Sequence, residues 1–219
     1  MEKKNKKLLL AGVGSCVAFI LWTVLVCFID LARIGPRESS VGFATLNGYI
    51  HNLTGVSMSL YVITDWLGLV PICVALGFAV LGLVQWIKRK SLLKVDRSIF
   101  VLGGFYIVVM AVYIFFEMVV INYRPTLIDG YLEASYPSST TMLVMCVMPT
   151  AMLQLRTRIK NVFFRRCIMI IIAAFIVFMV IGRLVSGVHW ITDIIGAALF
   201  SAGIVFIYSA ISNAETKNS

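Results

Sequence analysis

Charge is what this chain has least of: Asp, Glu, Lys and Arg make up 13% of its 219 residues, and only ten are acidic. A soluble domain carries roughly twice that fraction, so a water-facing surface of ordinary chemistry is excluded. Histidine occurs only twice, at His51 and His189. The five cysteines, Cys16, Cys27, Cys73, Cys146 and Cys167, are odd in number, show no C-x-x-C or metal-ligand spacing and sit inside apolar runs. They read as small buried hydrophobes rather than a disulfide framework. There is no internal repeat and no low-complexity tract, so residues 1–219 read as a single domain.

Apolar sequence is abundant instead, at 60% of residues. A helix needs about 20 apolar residues to cross a hydrocarbon layer of about 30 Å. Six runs of about that length appear, at 8–29, 60–87, 99–121, 138–155, 167–185 and 190–211. The expectation is an all-α polytopic membrane bundle of about six transmembrane helices, the last two joined by a tight turn near Gly187. The Lys-rich start resembles a secretory signal, but its apolar run is too long and lacks a small-residue cleavage site, so it is read as the first span.

The net charge of +9 follows a membrane pattern. Lys3, Lys4, Lys6 and Lys7, then Lys88, Arg89, Lys90, Lys94 and Arg97, then Arg156, Arg158, Lys160, Arg165 and Arg166, and finally Lys217 all fall on one side if six helices alternate. That side holds 15 of the 19 basic residues. The bias of Lys and Arg toward the cytoplasm therefore predicts both termini inside, with the plasma membrane as the expected location. These basic loops are expected to meet anionic lipids; no basic stripe interleaved with aromatics points to nucleic acid.

The few basic residues on the other side are Arg33, Arg37, Arg124 and Arg183. The stretch from Asp30 to Ser59 there reads as short interfacial helices. Three boundaries on that face hold reactive side chains: Asn122-Tyr123-Arg124-Pro125, Tyr136-Pro137-Ser138-Ser139-Thr140-Thr141, and Gly182-Arg183 followed by His189 and Asp193. Guanidinium forks match phosphate oxygens, so Arg124 and Arg183 are candidates to clamp a dianionic head group. Pro-Ser-Ser before an apolar run is a helix start, and Ser138, Ser139 and Thr140 offer backbone N–H groups to an anion. His189 and Asp193 lie four apart, on one helical face, where the carboxylate can hold the imidazole as a nucleophile. Such a pair alone is often mere packing; its conjunction with two arginines and a Pro-Ser helix start points to phosphoryl chemistry.

These boundaries resemble the three signature motifs of the type 2 phosphatidic acid phosphatase (PAP2) superfamily of membrane lipid phosphatases, K-x6-R-P, P-S-G-H and S-R-x5-H-x3-D, over roughly residues 117–193. The resemblance implies that His189 becomes a phosphohistidine, that Asp193 orients it, that Arg124, Arg183 and the Ser138–Ser139 backbone hold the phosphate, and that neither metal nor cofactor is needed. It implies a lipid phosphate substrate at the extracytoplasmic face. Four positions depart from the motifs: Glu117 stands for Lys, Ser139 for Gly, Gly182 for Ser, and Thr140 for the histidine that would protonate the leaving group. Threonine is no general acid near neutral pH. A leaving group needing no proton is then favoured, which points to a polyprenyl diphosphate over phosphatidic acid, whose alcohol departs as a basic alkoxide. His51 is a candidate replacement acid. Glu117 is expected to pair with Arg124, with a protonated carboxyl acting as acid as the alternative. Asp129 and Glu133 read as solvated loop residues, and Asp65 as an intramembrane acid of open role. The competing reading is a PAP2-like protein that binds or moves phospholipid head groups without chemistry.

Overall fold

The computed structural model describes residues 3–215, so Lys217 of the basic end lies outside the described residues. Eight α-helices follow in order: α1 (Lys3–Phe28), α2 (Ala44–Thr54), α3 (Met58–Leu67), α4 (Leu69–Arg89), α5 (Arg97–Met118), α6 (Ser139–Arg158), α7 (Val162–Val185) and α8 (Ile191–Glu215). Helices α3 and α4 form one broken span. Pro71 has no N–H to give the carbonyl four residues back, and Gly68 relaxes the bend, its own N–H reaching the carbonyls of both Thr64 and Asp65 at 3.0 Å. Six long helical units result, as the hydropathy pattern predicts.

Several boundaries move outward from those expected. Helix α1 begins at Lys3 and α7 at Val162, inside the basic stretches, because Lys and Arg are good helix formers whose charged tips can reach water while their stems remain apolar. Helix α5 stops early, at Met118, and the chain then leaves toward the reactive boundaries.

Five units, Lys3–Phe28, Met58–Arg89, Arg97–Met118, Val162–Val185 and Ile191–Ser212, are long and apolar enough to cross a membrane. Helix α6, expected as the fourth apolar span, is more polar because it lies enclosed by its neighbours and bonds its polar groups internally. Thr150 Oγ1 donates to the Cys146 carbonyl at 2.8 Å, Gln154 Nε2 donates to the Tyr208 hydroxyl, and Cys146 Sγ donates to Ser201 Oγ at 3.3 Å. Satisfied polar groups are tolerated at this depth where unsatisfied ones are not.

Around α6, α1 runs antiparallel to α8 at very close range. A Cβ on Gly12 would lie 2.9 Å from the Gly203 carbonyl oxygen, and one on Gly203 would lie 2.6 Å from Cys16 Sγ, so the two backbones touch. Phe19, Phe116, Tyr136, Met142 and Phe200 fill the core toward the reactive end, and Val144, Met148, Ile172 and Met179 fill it between α6 and α7. The outward faces are apolar, with Phe100, Ile107, Ile170 and Ile171 exposed, as a lipid-facing surface requires. The chain is an integral membrane protein.

At the reactive end, α2 lies as the expected short helix and is tied to α8 by Asn47, whose Nδ2 donates to the Gly42 carbonyl at 2.7 Å and to Thr192 Oγ1 at 3.0 Å. The 122–135 segment folds back on itself through bridges between Tyr123 and Ala134 and between Ile128 and Tyr131. Its tip, Asp129-Gly130, has both φ angles positive (49° and 81°), the conformation a two-residue primed turn demands. Arg37 Nη2 pins that tip by donating to the Gly130 carbonyl at 3.0 Å.

Candidate active site

The last turn of α7 delivers Arg183, 1% exposed, and the chain reverses before α8 begins. Gly187 makes the reversal possible: its φ is +69°, and a Cβ there would stand 1.9 Å from the Gly55 carbonyl oxygen. The tight turn brings His189 back onto the helix it left, and Arg183 Nη2 lies 3.1 Å from His189 Nε2. Asp193, in the first turn of α8, accepts the Trp190 backbone N–H at 2.9 Å, the reciprocal half of a capping box, which fixes its carboxylate at the helix start.

Asp193 and His189 face each other, but at 3.6 Å, beyond hydrogen-bond length. Ser135 closes the gap. Its hydroxyl donates to Asp193 Oδ2 and lies 3.2 Å from His189 Nδ1. A hydroxyl has one proton, and here it goes to the carboxylate, so the bond from the ring is an Nδ1–H donating to Oγ. The remaining nitrogen, Nε2, then carries its lone pair toward the Arg183 guanidinium. Burial, and then the cationic Arg124 and Arg183, hold the His189 pKa well below the usual histidine range.

Both guanidinium groups lie against one ring: the central carbon is 5.8 Å from the Tyr61 ring centre for Arg124 and 5.0 Å for Arg183. Each has a carboxylate behind it. Arg124 Nε lies 3.1 Å from Glu133 Oε2, and Arg183 Nη1 lies 3.5 Å from Asp65 Oδ1. Arg124 Nη1 and Arg183 Nε, both buried, have no hydrogen-bond partner among the described residues. Convergent, undersatisfied buried donors are the feature that a phosphate dianion complements. Among the described residues, no group of three or more His, Cys, Asp or Glu side chains is arranged to hold a metal ion.

Residues 117–217 match the model of the PAP2 superfamily. Over those residues the chain is similar to the PAP2 superfamily. A solved structure of similar fold is described as the first transmembrane PAP2 type phosphatidylglycerolphosphate phosphatase, from Bacillus subtilis. It is 19% identical, with a TM-score of 0.51, over 94% of this chain and 96% of the other. No curated protein matches the chain.

The PAP2 motif positions are occupied unevenly. Ser138 is fully buried and already engaged: its N–H donates to the Asp193 carbonyl at 3.2 Å and its hydroxyl donates to Thr141 Oγ1 at 3.0 Å. The expectation that the Ser138 N–H serves the phosphate is therefore corrected, because that amide anchors α6 to α8. As N-cap of α6, Ser138 supplies no side-chain bond, which leaves the first-turn N–H groups of Ser139, Thr140 and Thr141 without a cap. The Thr140 methyl lies 3.2 Å from where a Gly68 Cβ would stand, against the bend between α3 and α4. Gly182, in place of the motif serine, is explained by packing: a Cβ there would fall 2.8 Å from Thr64 Cγ2 on α3.

Glu117 is exposed and lines a narrow cleft together with Tyr113, Ser135, Ser139, Met142 and His189. The expected Glu117–Arg124 pair is replaced by Glu133–Arg124, because the fold-back of the 122–135 segment sets the Glu133 carbonyl 3.0 Å from the Arg124 N–H and its carboxylate alongside. Glu133 thus leaves the solvated role expected of it, and Asp65 acquires a partner in Arg183. The His51 and Trp190 rings are tilted at 57° with their centres 5.5 Å apart, and burial lowers the His51 pKa. Its contact is with the residue next to His189 in sequence.

Below about pH 6.5 an unfolded chain would protonate His189 while the folded one leaves it neutral, so acid opposes both the fold and the lone pair. Activity is expected to stay flat from pH 8 down through 6.5 and to fall only in more acid solution. A pH–rate profile of kcat/KM checks this, and an inflection at 6.5 or above assigned to His189 would contradict it.

Proposed function

We propose that this PAP2-like protein hydrolyses a lipid phosphate at the extracytoplasmic face through a phosphohistidine at His189, with a polyprenyl diphosphate preferred. The observation that carries this reading is the junction of Arg183 Nη2 and His189 Nε2 at 3.1 Å, beside a second arginine on the same Tyr61 ring. The clustering of Lys and Arg at the opposite end supports the extracytoplasmic placement.

His189 Nε2 attacks phosphorus, an N–P bond forms, and the P–O bond to the leaving group breaks on the opposite side. Arg124, Arg183 and the first-turn N–H groups of Ser139 and Thr140 neutralise the phosphoryl oxygens, the part of phosphoryl transfer where a protein contributes most. The imidazolium that results keeps its Nδ1 proton on Ser135, and the Asp193 carboxylate behind it offsets the new positive charge. Water then cleaves the N–P bond and releases inorganic phosphate.

Thr140 supplies no proton for the leaving group. A phosphate monoester leaving from a diphosphate has a second pKa near about 6 and needs none. Glu117 lines the cleft with His189, which supports a role for its carboxylate in drawing a proton from the attacking water in the second step.

Purified protein in detergent is therefore expected to release phosphate faster from a polyprenyl diphosphate than from phosphatidic acid or phosphatidylglycerolphosphate, and His189→Ala is expected to abolish release from all three. Equal rates, or preference for a monoester, would contradict the diphosphate reading. Head-group binding with no release from any lipid would replace the enzyme by a binding protein.

Ser135→Ala leaves the Nδ1 proton without its acceptor, a loss of about 1–3 kcal/mol for a buried bond. A fall in kcat of roughly tenfold to a hundredfold with little change in KM is expected. An unchanged kcat would remove Ser135 from the relay.

A further inference from the structure

At the end of the bundle remote from His189, α4 and α5 border a groove of about 500 Å³. Ala75, Ala79, Trp86, Leu92, Gly103 and Gly104 are among its lining residues. A Cβ on Gly103 or Gly104 would meet nothing within 4 Å, so the glycines hold the groove open rather than permit a helix contact. Helix α4, with 21 residues, spans about 30 Å, which sets the groove's basic mouth on the opposite membrane face from the phosphate site.

The mouth is crossed by the short turn Leu92–Lys94, from which Leu92 lines the groove and Leu93 projects, 98% exposed. Three lysines, Lys88, Lys90 and Lys94, lie in the segment between the lining residues Trp86 and Val95. The acid in their neighbourhood, Asp96, is already engaged: Arg89 Nη1 lies 2.9 Å and Arg158 Nη1 3.5 Å from its oxygens, and Gln85 Nε2 donates to it at 2.8 Å. Among the described residues, no ion pair is formed by the three lysines. An apolar channel capped by uncompensated cations, with a leucine projecting beside it, has the polarity of a lipid turned head outward.

We infer that the groove is a binding site for an anionic glycerophospholipid of the leaflet on the lysine side, one acyl chain lying between α4 and α5 and the phosphate meeting Lys88, Lys90 and Lys94. Charge selects the occupant. A neutral lipid would fill the apolar part but leave the lysines without partners, and the site is independent of the phosphatase reading.

Trp86, in the groove wall, provides the measurement. The full chain in detergent micelles is titrated with brominated-chain phosphatidylglycerol or brominated-chain phosphatidylcholine, and the quenching that disappears in Trp86→Phe is taken as the groove signal. Phosphatidylglycerol is expected to quench at much lower concentration. Each lysine near an anionic head group contributes about a fivefold factor, so the triple variant Lys88→Gln/Lys90→Gln/Lys94→Gln should weaken the preference by up to roughly a hundredfold. Gly103→Leu/Gly104→Leu, which fills open space, should suppress quenching by both lipids. A circular dichroism spectrum and a thermal transition matching those of the unsubstituted chain report that both variants fold. Equal quenching by the two lipids marks a non-selective annular site and overturns the inference. Quenching that survives in the groove-filled variant does so as well.

Discussion

A buried guanidinium sets the terms for this protein. Arg183 is 1% exposed at the end of an apolar bundle, and a charge so enclosed is costly unless its donors are met. The chain meets them incompletely: the His189 ring at one nitrogen, a carboxylate at 3.5 Å across another, and the face of Tyr61. Much else at that end of the bundle reads as support for this arrangement. The Gly187 turn carries His189 back to the arginine, Ser135 and Asp193 fix the ring's tautomer, and the fold-back of the 122–135 segment brings a second arginine to the same aromatic face. A site that keeps charge-complementary donors unsatisfied in a low-dielectric setting is preorganised for an anion and gains most when that anion changes shape during reaction.

The departures from the PAP2 motifs fall into two physical kinds. Gly182 is a packing requirement, since Thr64 occupies the space a side chain would need. Thr140 and Glu117 alter proton chemistry instead. The threonine is turned toward the bend between α3 and α4, while the glutamate lines the cleft beside His189. In the proposed mechanism, proton handling therefore falls to a different side of the site, which is why a leaving group that departs without a proton fits that reading.

The fold was legible because hydropathy and helix length are properties of single segments. Six runs near 20 residues, with basic residues at alternate ends, already describe the bundle. Enclosure is not a property of one segment, so the sequence of α6 reads as an apolar span, whereas Thr150 bonds within the helix and to Tyr106, and Gln154 to Tyr208. The His189–Asp193 pair and Arg183 were readable because i, i+4 spacing and one short turn join them. Ser135, Tyr61, Asp65 and Glu133 were not: each meets the site through a tertiary contact with no spacing to announce it. One signal stood in plain sight. Asp129-Gly130 between Ile128 and Tyr131 is a hairpin turn, and with it the pairing of Glu133 with Arg124 could have been anticipated.

The claim on which the rest stands is that both guanidinium groups and the imidazole meet a single phosphoryl group. An experimental structure of the protein with vanadate, a mimic of the five-coordinate phosphorus, tests it most directly. Vanadium bonded to His189 Nε2, with Arg124 and Arg183 on its equatorial oxygens, is the expected result. Vanadate bound away from His189, or contacted by one arginine while the other points elsewhere, would contradict it.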